Sequence, residues 1–109
     1  MNFDLLIEDA RRDNCSDVHI TVGTAIARRR FSKLEFLYPV PTAAESESMI
    51  LEKLTEEQKD YVRAGNDLDL SIMMQDGSRL RANIYHQRNN LIVCHFRNPP
   101  FLLPLRTNS

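Results

Sequence analysis

Arginine offers this chain its most suggestive chemistry, through spacing. Arg79 and Arg81 stand two apart in a segment that alternates apolar and polar residues, Arg79-Leu80-Arg81-Ala82-Asn83-Ile84. Strand neighbours point to opposite faces, so residues two apart leave by the same face. Arg97 lies on the last alternating segment, which is expected to pair with the first through a turn near Asn89. The sheet can then bring Arg81 and Arg97 side by side on its polar surface. A guanidinium binds phosphate through paired N–H donors and does not lose its charge. Converging arginines can therefore form a phosphate clamp, while the same residues also suit a plain solvated strand face. The run Arg28-Arg29-Arg30 lies within a single strand. At least one of the three must sit over the helix-bearing face, at an edge, or reach out to water. Its two readings are a charged edge that resists aggregation and an anion or subunit contact.

Asp67 and Asp69 also share a face. They could form a carboxylate pair for acid–base work, but the stronger expectation is pairing with arginines on the facing strand. Cys15, His19, His86, Cys94 and His95 lack the close paired spacing of a zinc site, and the cysteines read as buried structural thiols. The sequence has no GxxxxGK[ST], no GxSxG and no HExxH, and its three glycines are not clustered. It thus carries no motif of a self-sufficient nucleotidase or hydrolase. A small enzyme built on Asp67, Asp69 and His19 is the weakest reading, because nothing places these residues in one pocket.

Composition narrows the class further. Of 109 residues, 42% are hydrophobic and 27% charged, which suits one globular domain. The net charge of -1 argues against bulk attraction to nucleic acid or to an anionic membrane, though it leaves room for a local basic patch. The start lacks a basic stretch followed by an apolar run, and no apolar run approaches membrane-spanning length. Two cysteines are too few for a disulfide framework, so a cytoplasmic location with free thiols is expected.

The elements that must position these side chains follow from periodicity and turn chemistry. Phe3 to about Asn14 places Phe3, Leu5, Leu6 and Ala10 near one side of a helix, with Asn14 and Ser16 as stop-and-turn residues. Val18, Ile20 and Val22 alternate with Asp17, His19 and Thr21 as a half-buried strand, and Gly23-Thr24 forms the turn. Strands at about 25–31 and 34–37 end at Pro39 and Pro41. Thr42-Ala-Ala-Glu45 has the spacing of a capping box and opens a helix with Met49, Ile50 and Leu54 as its apolar stripe. Thr55 starts another short helix that Gly65 closes. Leu68 to Met74 is a strand, Asp76-Gly77 a hairpin turn, and the two remaining strands present Leu80, Ala82, Ile84, Ile92, Cys94 and Phe96 inward. The expected class is α+β: a PAS-like antiparallel sheet of five to six strands with helices packed on one face.

Several segments then line up with one family. Ser16-Asp17-Val18-His19-Ile20, with Gly23 after it, resembles the SDxHxxxG signature of PilT-like type IV pilus retraction ATPases. Asp67-Leu68-Asp69-Leu70-Ser71 is similar to their E-x-D-x-S strand, and Arg79-Leu80-Arg81-Ala82-Asn83 to RFRVN. Gln87-Arg88-Asn89 resembles the QxRG region, and Phe96-Arg97-Asn98-Pro99-Pro100 resembles FRxIP. These matches keep their order over about residues 1–100 and fit the wider secretion ATPase superfamily. A helix beginning at Phe3 favours the retraction motors over the longer assembly ATPases. There are departures: Ser32 in place of a glycine, Ala25-Ile26 in place of Pro-Pro, Pro99 in place of isoleucine, and one extra residue between Arg81 and Arg97.

The resemblance implies that residues 1–100 are the PAS-like N-terminal domain of a two-domain motor, and 101–109 a linker towards an absent RecA-like domain. In that family six subunits form a cytoplasmic ring at the pilus or secretion machinery on the inner face of the membrane. ATP, with Mg, binds mainly to the RecA-like domain, and N-terminal arginines approach its phosphates as the cleft closes. By motif position these are Arg81 and Arg97, with Arg79 and Arg88 as further candidates. Nucleic acid is not an expected partner. The domain alone is expected to be no enzyme and to bind ATP weakly. The rival is a free-standing PAS-like sensor or adaptor.

Overall fold

The computed structural model describes residues 2–87 and 92–97. The expected turn at 88–90, with Arg88, and the linker at 101–109 lie outside them.

Nine elements follow in the order α1 (Phe3–Arg12), β1 (Cys15–Thr21), β2 (Ile26–Arg30), β3 (Lys33–Leu37), α2 (Ala43–Leu51), α3 (Glu56–Arg63), β4 (Leu68–Met73), β5 (Arg79–His86) and β6 (Ile92–Arg97). The six strands make one antiparallel sheet in the order β3-β2-β1-β6-β5-β4. This is the expected α+β, PAS-like arrangement. The N-terminal and C-terminal halves of the chain each build three strands, and β1 and β6 join them.

Local chemistry sets the boundaries. Asn2 caps α1 by accepting from the Leu5 amide at 2.9 Å. Asn14 ends the turn after α1 at φ 61, a conformation that asparagine tolerates better than most side chains. Ser16, expected in the turn, instead lies in β1, because the strand starts at Cys15. Thr42 and Thr55 each form the reciprocal capping box, with Glu45 and Gln58 respectively. Gly77, at φ 86, lets the β4–β5 hairpin close through the Met74 amide on the Ser78 carbonyl at 2.8 Å.

One sheet face carries the core. Val18 and Ile20 of β1 meet Phe96 and Cys94 of β6, and Leu80, Ala82 and Ile84 of β5 continue the layer. The helices cover it with Phe3, Leu6, Ile7 and Ala10 from α1, Met49 and Ile50 from α2, and Val62 from α3. Phe3 and Phe96 meet edge to face with centroids 4.8 Å apart. Such pairing adds to the apolar area that each ring buries. Polar ties fix the helices on this face. Arg11 donates to Ser78 Oγ at 2.6 Å, linking α1 to the β4–β5 hairpin, and Lys53 lies 3.0 Å from Asp4. The fully buried Ser46 accepts from the Gly23 amide at 3.3 Å and donates to the Thr42 carbonyl at 2.9 Å, fixing the β1–β2 turn against α2.

Phe3→Ala removes the ring that α1 drives into the core and should cost about 3–5 kcal/mol in urea unfolding. A loss under about 1 kcal/mol would mean that α1 does not cover the sheet as described.

Candidate functional site

The opposite, open face of the sheet presents a cross-strand row of charge. Asp17 on β1 faces Arg97 on β6, Arg97 faces Arg81 on β5, and Arg81 faces Ser71 on β4. Opposed antiparallel residues lie about 5 Å apart at Cα, so two guanidiniums share a small area. A second row runs beside it, from His19 through His95 and Asn83 to Asp69. Asp69, Arg81, Ala82, Asn83, His95 and Arg97 line a shallow depression of about 260 Å³.

Each arginine leans on its own carboxylate. Arg81 contacts both Asp69 oxygens, at 3.2 and 3.4 Å, while both side chains stay exposed. Such a pair contributes about 0–1 kcal/mol, so it orients more than it stabilises. Arg97 Nε lies 3.5 Å from Asp17 Oδ1. Asp17 is only 9% exposed, and it also accepts from Ser16 Oγ and pairs with His95 Nε2, both at 2.6 Å. Burial pushes the Asp17 pKa up, but the hydrogen bonds from Ser16 and His95 and the nearby Arg97 outweigh it and hold the carboxyl below its ordinary 3.8. His19 stacks on His95 with ring centroids 4.3 Å apart. Burial pushes the His19 pKa down from 6.5, with His95 and Arg29 acting in the same sense against Asp17.

A β-bulge lies at the start of β1, beside Asp17. The β1–β2 register shifts between Cys15 and Asp17, from Cys15 opposite Arg30 to Asp17 opposite Arg29. The extra residue bends the strand there and re-aims the side chains beside it. Cys15 thus falls in the core and Asp17 on the open face.

The other predicted residues fall in distinct places. Arg79 is exposed at the start of β5, opposite Met73 and outside the depression. Asp67 precedes β4 and contacts His86 at 3.4 Å. Asp69 and His19 share a row but stand three strand spacings apart, so the Asp67–Asp69–His19 set forms no single pocket. Gly23 adopts φ 88 in the β1–β2 turn and makes the Ser46 contact described above. Cys15 and Cys94 lie in the core, away from the open-face histidines. Burial raises the Cys94 thiol far above its usual range, so it stays protonated. Arg28 and Arg30 lie opposite the core residues Val18 and Cys15, and Arg28 pairs with Asp13 at 2.7 Å and Glu35 at 3.4 Å. His95 and Asn83 join the depression without having been singled out for it. Their outward position in the alternation was the available signal.

The chemistry this face can support is anion recognition with restraint. Two permanent cations face solvent, each beside a carboxylate and, among the described residues, with further N–H donors uncommitted. The carboxylates offset much of the positive field, so the face suits a phosphate that other groups already hold.

Asp17→Asn should cost about 1–3 kcal/mol at pH 7, because three donors around a buried acceptor lose its charge. A carboxyl with a lowered folded pKa stabilises fully above its unfolded value of 3.8, and that contribution is lost as pH falls through the folded value. The stability gap between the two proteins should therefore close on acidification below 3.8. A gap independent of pH in urea titrations would remove Asp17 as the charged hub.

No family model matches the sequence, and no curated protein matches it. Among solved structures, the chain is similar to a crystal structure of the pilus retraction motor PilT with bound ADP, at TM-score 0.78 and 24% identity over 95% of this chain and 31% of that one. It is also similar to the ATPase DotB of Legionella pneumophila, at TM-score 0.75 and 20% identity over 90% of this chain and 28% of that one. The chain thus spans less than a third of either ATPase, and what it shares with them is the fold.

Proposed function

We propose that this chain is the N-terminal domain of a PilT-like motor ATPase of the secretion superfamily, and that Arg81 and Arg97 meet the phosphates of ATP. The register that sets Arg81 opposite Arg97 on the open face carries this reading. It gains support from the fold shared with a pilus retraction motor and with DotB, and from the motif order along the sequence.

On this account the nucleotide and its Mg are held by a RecA-like domain that follows the linker at 101–109. The open face closes over the phosphates, and the arginines stabilise charge that develops during transfer. Asp69 and Asp17 keep the guanidiniums oriented before closure. Neutralisation by these carboxylates leaves the domain alone with a weak hold on ATP. Six such subunits form a ring at the inner face of the membrane, where closure becomes motion against pilus or secretion machinery. The space between helices and sheet is filled by Phe3, Phe96, Ile7 and Ile20, which favours this reading over a PAS-like sensor with an interior ligand.

In the protein carrying both domains, Arg81→Ala and Arg97→Ala should lower ATPase turnover by about 10- to 1,000-fold and change nucleotide affinity by less than about threefold. Unchanged turnover in both variants would leave the two side chains as ordinary surface residues.

A further inference from the structure

The two edges of the sheet differ in charge and shape. At the β3 edge, the β2–β3 hairpin carries Arg29, Arg30 and Lys33, and Phe31, Leu34 and Phe36 stand in solvent beside them. Among the described residues Arg28 is the hairpin cation with ion pairs, to Asp13 and Glu35. Phe31 is 74% exposed at the tip and holds φ 50, with Ser32 following at φ 66. Two successive positive φ values suit Asn and Gly in a hairpin turn and disfavour an aromatic residue. The chain therefore keeps an exposed ring where its own backbone opposes one, and such strain gathers at positions with work beyond the fold. The Arg30 guanidinium lies 5.3 Å from the centroid of this ring.

At the opposite edge, α3 and β4 bound an open groove of about 660 Å³. Its lining includes Glu57, Asp60 and Asp67 around Tyr61 and Leu68. Tyr61 is half exposed there. One edge is thus a basic, aromatic finger and the other an acidic groove with an apolar floor.

We propose that the β2–β3 hairpin of one copy of this chain docks in the α3–β4 groove of a second copy. Phe31 enters beside Tyr61 and Leu68, while Arg30 and Lys33 meet Glu57 and Asp60. The second copy is the occupant because a single chain carries both complementary charges and both apolar surfaces. Finger and groove sit at opposite edges of one sheet, β3 and β4, so neither can fill its own partner site in the same way. The contact is head to tail and leaves a free finger and a free groove at its ends, which is the geometry that builds rings or chains. The net charge of -1 conceals this polarity. The groove shares Asp69 with the depression, whereas Phe31, Lys33 and Asp60, exchanged below, lie outside the depression.

Sedimentation velocity of the 109-residue chain at low salt, up to about 1 mM, should show association that added salt weakens, as expected of a small charged interface. Phe31→Asn places a residue suited to the left-handed backbone at the tip, so the fold should persist with no lower Tm while association weakens by about 10-fold or more. Lys33→Glu and Asp60→Lys should each weaken association alone. An equimolar mixture of the two should recover it, since each supplies the intact half that the other lacks. A wild-type chain that stays monomeric, a Phe31→Asn chain that associates normally, or a mixture that fails to recover would each overturn the proposal. Binding of a monomeric chain to phosphatidylserine vesicles, lost in Phe31→Asn, would assign the hairpin to a membrane instead and also overturn it.

Discussion

Pairing of β1 with β6 is the contact on which both faces of this molecule depend. It joins residues 17–21 to residues 93–97 and stitches the N-terminal strands to the C-terminal meander. On the core side it sets Val18 against Phe96 and Ile20 against Cys94, all buried. On the open side the same register sets Asp17 against Arg97 and His19 against His95. A slip of one residue would exchange the faces and bring Arg97 into the core. The apolar layer therefore locks the geometry of the charged one. The Phe3–Phe96 contact ties α1 to this seam.

The charged layer is balanced so that two arginines can coexist. Arg81 and Arg97 repel one another across neighbouring strands, and Asp69 and Asp17 offset that repulsion from either side. The two carboxylates differ in kind. Asp69 is exposed and orients its partner weakly, whereas Asp17 is buried and held by Ser16 and His95. Arg81 makes the two closer contacts of the pair, at 3.2 and 3.4 Å, and Arg97 a single one at 3.5 Å to the better-held carboxylate. Under the proposed function, a face built this way meets an anion that another domain already holds. The polarity between the β3 and β4 edges adds a second layer of order, by which copies of the domain can be arranged relative to one another.

Much of this was legible in the sequence because two periodicities dominate it. Alternation in β1, β5 and β6 assigned the inward residues and the outward Arg81 and Arg97, while the Thr42 and Thr55 capping boxes marked helix starts. The bulge was not legible, since an extra residue opposite Arg29 and Arg30 changes no composition. Ser46 reads as a polar helix residue, and its burial depends on where the β1–β2 turn lies in space. Strand β3 inverts the usual rule: Leu34 and Phe36 face solvent, while Glu35 turns to the helix side to meet Arg28. Val93, on the open face, is buried all the same. Such features come from contacts between distant segments, which local pattern does not encode.

The central claim is that this domain serves a motor that continues beyond it. The mass and downstream sequence of the polypeptide in its native cell test that directly. The account predicts a product far longer than 109 residues, with a GxxxxGK[ST] motif following the linker. A native product that ends at Ser109 would contradict it, because no phosphate-cradling domain would then stand opposite the arginine pair.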